Sequence, residues 1–301
     1  MATLAESAAQ GPVVLDGGLG TLLEARGNDV SSELWSAQLL LDDPDEIRAA
    51  HREFFTAGAE VAITSSYQVS YSGLARVGYS DADTDRLLLR SVELATAALQ
   101  DSRDGGWIAA SVGPYGASLA DGSEYRGDYG LSVDELRSWH RRRIQVLASS
   151  GADVLAIETI PCLTEVEAVL SELSGTGASA WLSVTIADAR LRSKESLEQA
   201  FTMADAADEI VAIGVNCSSP DEIDGAIAAA RSVSAKPIVV YPNSGEVWNA
   251  KARTWSGTAG LPSAMVAGWV ESGASLIGGC CRIGTNQLAA IADAVRGDPV
   301  R

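Results

Sequence analysis

The chain has 301 residues, 47% of them hydrophobic and 21% charged, with a formal net charge of −18. That is the profile of a soluble globular protein with a large core, and so acidic a surface repels phosphate backbones, which excludes nucleic acid as a partner. No run approaches the ~18 apolar residues of a membrane span, and the opening residues MATLAESAAQ carry neither the basic stretch nor the apolar core of a secretory leader, so a cytoplasmic setting is expected.

Short β-branched runs alternate with longer segments of helical period. In chain order the runs expected as strands are 13–16, 60–64, 107–112, 153–157, 180–186, 211–215, 237–241 and 274–277. A run as apolar as VAIGV suits a parallel strand covered on both faces. Between the runs lie amphipathic stretches at 45–57, 133–149 and 164–173, each opening near an Asp, Ser or Thr as a helix N-cap requires. Strand–helix alternation implies βα units and a parallel sheet. Eight units predict an α/β fold of one class, a single (β/α)8 TIM-type barrel that takes 1–301 as one domain.

An internal echo supports the repeat. GAEVAI from Gly58, GADVLAI from Gly151 and GASLI from Gly273 resemble one another, with a weaker copy at Gly177. Glycine suits the left-handed position that ends a helix just before a strand. Seven residues after Gly151 stands Glu158, and seven after Gly273 stands Cys280. The echo therefore sets an acid and a thiol at one level, just past the strand ends, where barrel active sites lie. The longest irregular stretch, 113–130, holds three tyrosines, and a loop of that length in a barrel is read as functional.

The four cysteines are Cys162, Cys217, Cys280 and Cys281, and their spacing is not that of a disulfide framework. Cys217 follows the sixth expected strand, and Cys280 and Cys281 follow the eighth. Two readings fit these three: buried free thiols, or three corners of a tetrahedral zinc site with the fourth corner open. Three thiolates make zinc a poor activator of water and a good holder of a further thiolate, which it keeps ionised where a free thiol, titrating near ~8.5, is mostly protonated. The two histidines, His51 and His140, fall inside expected helices and are read as surface or packing residues, so a histidine acid–base mechanism lacks parts. Cys162, beside Pro161, is read as structural.

Eight segments then make the chain resemble a known family. They are Leu15-Asp16-Gly17-Gly18, Thr64-Ser65-Ser66-Tyr67-Gln68, Gly113-Pro114-Tyr115-Gly116, Leu119-Ala120-Asp121-Gly122-Ser123-Glu124-Tyr125, Glu158-Thr159-Ile160-Pro161, Gly214-Val215-Asn216-Cys217, Tyr241-Pro242-Asn243-Ser244-Gly245 and Gly278-Gly279-Cys280-Cys281. Along nearly its whole length the sequence resembles the zinc-dependent homocysteine S-methyltransferases, in particular the S-methylmethionine:homocysteine branch. The resemblance implies Zn2+ on Cys217, Cys280 and Cys281, homocysteine as fourth ligand and methionine as product. It implies Glu158 and Asp16 at the substrate amino group, room for substrate at Gly17 and Gly18, and Asn216 orienting the metal ligands or the substrate sulfur.

S-methylmethionine is the donor this resemblance implies, with S-adenosylmethionine as a second sulfonium and selenocysteine as a second acceptor. Aromatic faces attract sulfonium groups, which singles out Tyr67, Tyr115, Tyr125 and Trp248, while Asp121 and Glu124 are candidates for pairing with the donor's amino group or for biasing the rim toward cations. Small-molecule substrates and a monomer or small homo-oligomer are expected. The rival readings are a non-catalytic zinc or thiol redox sensor on a barrel scaffold and a hydrolase using zinc-bound water; the hydrolase prefers histidine and carboxylate ligands.

Overall fold

Valine and isoleucine, which favour extended backbone, form the strands of a barrel in the computed structural model. The structure describes residues 2–29, 36–249, 254–256 and 260–297, with the side chains of 36, 37, 247–249 and 254–256 outside that description. Among these residues one sheet has eight parallel strands: β1 Val13–Val14, β2 Val61–Ile63, β3 Trp107–Val112, β4 Val154–Ile160, β5 Ala180–Val184, β6 Ile210–Asn216, β7 Ile238–Tyr241 and β8 Ala274–Ile277. Their order is β1-β8-β7-β6-β5-β4-β3-β2, and a parallel bridge between Leu15 and Val61 joins the two ends. The fold is a single (β/α)8 barrel, as the alternation predicts.

Each strand leads to a helix on the outside. These are α1 Pro44–Thr56, α2 Asp81–Ser102, α3 Val133–Ala148, α4 Leu163–Leu173, α5 Leu197–Asp205, α6 Ile223–Val233, α7 Ser263–Glu271 and α8 Thr285–Arg296. Capping boxes start α2 at Ser80 and α3 at Ser132. Shorter helices add to this ring, and Leu4–Gln10 buries Leu4 and Ala8 against the inner set that includes Val13, Leu15 and Val154. No helix among the described residues is long and apolar enough to cross a membrane.

Side chains alternate along each strand. Val154 and Ala156 fill the barrel interior, while Leu155 and Ile157 pack outward under the helices. The same parity places Trp107 and Ala109 of β3, Trp181 of β5, Ala212 of β6, Val239 and Tyr241 of β7 and Leu276 of β8 within. Continued toward the C-terminal rim, it reaches Ser111, Glu158, Ser183, Asn216 and Cys280.

Several strand boundaries shift from expectation, and two of the shifts bear on the rim. β4 does not stop at Ile157 but continues to Ile160 through an irregular register, with Thr159 at φ 61°. Hydrogen bonds from Asn216 hold that extension, so Glu158 belongs to the strand end rather than to the loop beyond. β5 ends at Val184, because Asp188 and Ala189 take left-handed φ of 55° and 57° and fold Ile186–Ala187 back on Arg190–Leu191 as a separate hairpin.

Candidate metal centre and substrate rim

Asn216 closes β6, and Cys217 follows it at φ 48°, a left-handed conformation that non-glycine residues seldom adopt. That turn aims the Cys217 sulfur across β7 at the residues after β8. There the backbone is tied down: the Cys280 amide donates to the Pro242 carbonyl at 2.8 Å, and the Cys281 amide to Asn243 Oδ1 at 3.2 Å. The Cys217 Sγ lies 2.7 Å from Cys280 Sγ and 3.7 Å from Cys281 Sγ, and all three sulfur atoms fall within 4.8 Å of one another. With metal–sulfur bonds of ~2.3 Å, a tetrahedral centre sets its sulfurs roughly 3.8 Å apart. A trio this compact, made wholly of soft donors, fits a thiophilic metal. Hydrogen bonds with Cys217 and Cys280 hold the Cys281 thiol well below the ordinary range, whereas those with Cys217 and Cys281, together with burial, push Cys280 up.

Glycines let the rim close around the trio. A methyl group at Gly18 would strike the Cys280 carbonyl, and one at Gly17 would lie 2.5 Å from the Ile283 carbonyl and 2.7 Å from the Phe54 ring. Gly278 meets the Leu15 side chain and the Asp16 carbonyl equally tightly. The first and last units of the barrel therefore interlock directly beneath the thiols.

Asp16 is 1% exposed; its Oδ2 accepts the Ile63 amide at 2.8 Å, while its Oδ1 is buried with no hydrogen-bond partner. This carboxylate bridges β1 to β2 and does not cap the helix Leu19–Ala25, which starts at Gly18. Burial raises the Asp16 carboxyl well above the carboxylate range, and the Glu158 charge adds to the shift. Glu158, 6% exposed, accepts a hydrogen bond from Ser111, and burial pushes its carboxyl up to about 7. Asn216 is fully buried: Oδ1 accepts the Thr159 amide at 2.8 Å and the Ser183 hydroxyl at 2.9 Å, and Nδ2 donates to Thr159 Oγ1 at 2.8 Å.

The aromatic candidates separate. The Tyr125 hydroxyl donates to Cys217 Sγ at 3.7 Å, and Arg192 stacks over its ring at 5.4 Å. Tyr67 backs against Gly113, and burial raises its hydroxyl, with the Glu124 and Cys217 charges adding to the effect. Tyr115 turns elsewhere, packing edge-on against Tyr129 and Trp139 at 5.2 and 5.3 Å, with its amide donating to Glu165 at 2.6 Å. The Trp248 side chain lies outside the described residues. Cys162 is buried at the start of α4, away from the trio, and burial pushes its thiol up to about 12.

Ser111, Thr159 and Ser183 were not singled out by their sequence. The signal for Ser111 and Ser183 is a lone hydroxyl on the inward parity of an otherwise apolar strand; Thr159, on the other parity of β4, has none. A second unannounced network lies under the 113–130 loop. There His140 and the Tyr115 amide share Glu165, and Arg143, buried in α3, donates to the Gly113 carbonyl. Both histidines are fully buried, which selects packing over surface.

Residues 13–295 match the family model described as homocysteine S-methyltransferase. Homocysteine S-methyltransferase YbgG of Bacillus subtilis (strain 168) is 42% identical over 297 residues, covering 93% of each chain. Selenocysteine methyltransferase of Astragalus bisulcatus is 41% identical, covering 89% of this chain and 88% of its own. The crystal structure of the homocysteine methyltransferase MmuM from Escherichia coli in its metallated form superposes with a TM-score of 0.86 at 37% identity, over 96% of this chain and 98% of that one.

Proposed function

The chain belongs to the homocysteine S-methyltransferase family, and from that premise we propose that it moves a methyl group from a sulfonium donor to the thiol of homocysteine, with Zn2+ held by Cys217, Cys280 and Cys281. The observation that carries the reading is the thiol trio at one end of the barrel, beside a buried acid with an unsatisfied oxygen. Bound to the three cysteines, zinc would keep the acceptor's sulfur ionised and therefore nucleophilic.

The remaining work falls to side chains of this chain. Asp16 Oδ1 is buried and lacks a donor, and a substrate ammonium would supply one. Glu158 offers a second carboxylate, turned inward by the parity of β4 and oriented by Ser111. Cation binding restores to both carboxylates the charge that burial disfavours. Gly17 and Gly18 let the backbone after β1 pack directly against Ile283 and Cys280, and so support the trio from beside it. Asn216 sets the β4 and β6 rims relative to each other, and so orients Glu158 relative to Cys217. The transfer itself forms one carbon–sulfur bond as another breaks; the acceptor's negative charge and the donor's positive charge cancel, and no proton moves. Catalysis is then positioning and exclusion of water, consistent with a rim free of histidine.

The sensor reading finds no support, since the relatives named above are methyltransferases. Purified protein loaded with Zn2+ is expected to form methionine from homocysteine and S-methylmethionine, and Cys217→Ser to lose both metal and turnover. Full turnover after stringent metal removal would overturn the mechanism. A single small homo-oligomer or monomer acting on small molecules suffices for this chemistry.

A further inference from the structure

The loop after β3 carries two acids, Asp121 and Glu124, and the structure separates their roles. Asp121 is spent inside the loop. Its Oδ1 accepts the Ser123 amide at 2.9 Å and the Ser123 hydroxyl, and its Oδ2 lies 3.6 Å from Arg126. Glu124 is different: its Oε2 is buried and has no hydrogen-bond partner. It sits on the short 3-10 turn Ser123–Tyr125, whose next residue, Tyr125, reaches Cys217 with its hydroxyl. The Arg126 charge acts on it through space without an ion pair between them, because Arg126 is engaged by Asp121, by Asp128 at 3.2 Å and by the Ser123 hydroxyl at 2.7 Å.

The turn holds Glu124 in place. A methyl group at Gly116 would collide with the Glu124 amide and the Ser123 carbonyl carbon, so the two halves of the loop pack backbone to backbone at this point. That loop is anchored from below by Glu165 and Arg143. Leaving a carboxylate oxygen buried and unpaired costs stability, and a rigid mount prevents it from swinging out to water.

Resting on the methyl transfer proposed above, we infer that Glu124 is the specificity-determining residue for the donor, receiving the positive charge of a methylsulfonium beside the thiol trio. Charge balance gives the pairing a direction. Before transfer the donor sulfur is a cation and pairs with the Glu124 carboxylate. The acceptor thiolate displaces the thioether from the methyl carbon, the carbon–sulfur electron pair stays on the departing sulfur, and that sulfur becomes neutral. The attraction therefore vanishes with the reaction, and the spent donor leaves a site that prefers cations. Glu124 and Tyr67 together supply the negative charge and aromatic ring that an onium group favours, while Arg192 already covers one face of Tyr125.

Glu124→Gln tests this in the Zn2+-loaded enzyme. The KM for S-methylmethionine is expected to rise about ten-fold or more, which is the loss of roughly 1.4 kcal/mol of charge pairing. The competitive inhibition constant of 2-amino-5-methylhexanoate, which places CH where the donor has its sulfonium, is expected to stay within about two-fold. The wild-type preference for the sulfonium over this neutral isostere is then lost. An unchanged donor KM, or an equal weakening of sulfonium and isostere, overturns the inference, since the second outcome marks a residue that merely shapes the loop. Removing a buried unpaired charge is not expected to lower the melting temperature, so the variant remains informative. A parallel arm with S-adenosylmethionine tells which sulfonium the site takes. Absence of methionine from the wild-type protein with both donors overturns the functional reading itself, a result distinct from normal wild-type turnover with an insensitive Glu124→Gln.

Discussion

Asn216 grips Thr159 at two points, its Oδ1 taking the amide hydrogen and its Nδ2 giving one to the hydroxyl, each at 2.8 Å. Through this pair the residue before a candidate metal ligand fixes the residue after a candidate substrate carboxylate. Asn216→Ala leaves the Thr159 amide and Ser183 hydroxyl buried without their acceptor. Each such loss costs roughly 1–3 kcal/mol. The expected result is a lower denaturant midpoint and a higher homocysteine KM, with metal stoichiometry retained because all three thiols remain. Loss of metal at native stability would contradict this division of labour.

Asp16 and Glu158 are both inward and both pushed up by burial. Replacing either with its amide, Asp16→Asn or Glu158→Gln, is expected to raise the homocysteine KM about ten-fold or more, since a charge-assisted hydrogen bond contributes roughly 1.5–3 kcal/mol. The ligand-free protein is not expected to lose stability. Steady-state kinetics and chemical denaturation read the two effects separately; a loss of kcat at constant KM would assign these acids a different role.

Two glycines are expected to respond oppositely to alanine. A methyl group at Gly214, in the middle of β6, lands on the Val239 carbonyl of β7, where only backbone movement can make room. Gly214→Ala is expected to cost more than about 3 kcal/mol. Gly225 lies on the exposed face of α6 with nothing within 4 Å of the added carbon, and Gly225→Ala is expected to stabilise by roughly 0.5–1 kcal/mol. Melting temperatures that move in the same direction would refute the packing described for the β6–β7 seam.

His51 is fully buried in α1, with neither ring nitrogen hydrogen-bonded, and burial lowers its value from 6.5 to about 4. Between those values the folded protein binds fewer protons than the unfolded chain. The contribution to stability is therefore intact above pH 6.5, erodes as the pH falls, and has been lost once pH passes below about 4. The full loss is about 3 kcal/mol. His51→Leu should flatten the stability–pH profile in this window by that amount. Parallel profiles for variant and wild type would show that the imidazole finds a partner or reaches solvent.

Much of this protein is legible in its residues because the signals are strong where burial is complete. β6 reads VAIGV, and such a run has few other uses. The thiols were legible for a different reason: Cys217 and Cys280 each follow a strand, and strand ends in a closed barrel share a rim. Thr159 was not legible. Its left-handed backbone is imposed by Asn216, which is 57 positions away. Tyr115 and Tyr125 look equivalent in the sequence, yet one packs on Trp139 and the other on Cys217. Which way a loop aromatic turns depends on Glu165 and Arg143, buried groups on helices that carry no local sign of the loop they anchor.

Gly58, Gly151, Gly177 and Gly273 all have positive φ, between 74° and 111°, one to three residues before a strand begins. An interval counted from such a glycine acts as an address. Seven positions on, one unit holds Glu158 and another Cys280; the unit after Gly58 holds Ser65, buried with its hydroxyl unpaired. The address does not carry chemistry in every unit: after Gly177 it falls on the buried, apolar Val184, and Cys217 follows no such glycine. Where the address does fall on the rim, at Glu158 and Cys280, one substitution would change what the barrel mouth presents while the strand and the glycine turn before it stay as they are.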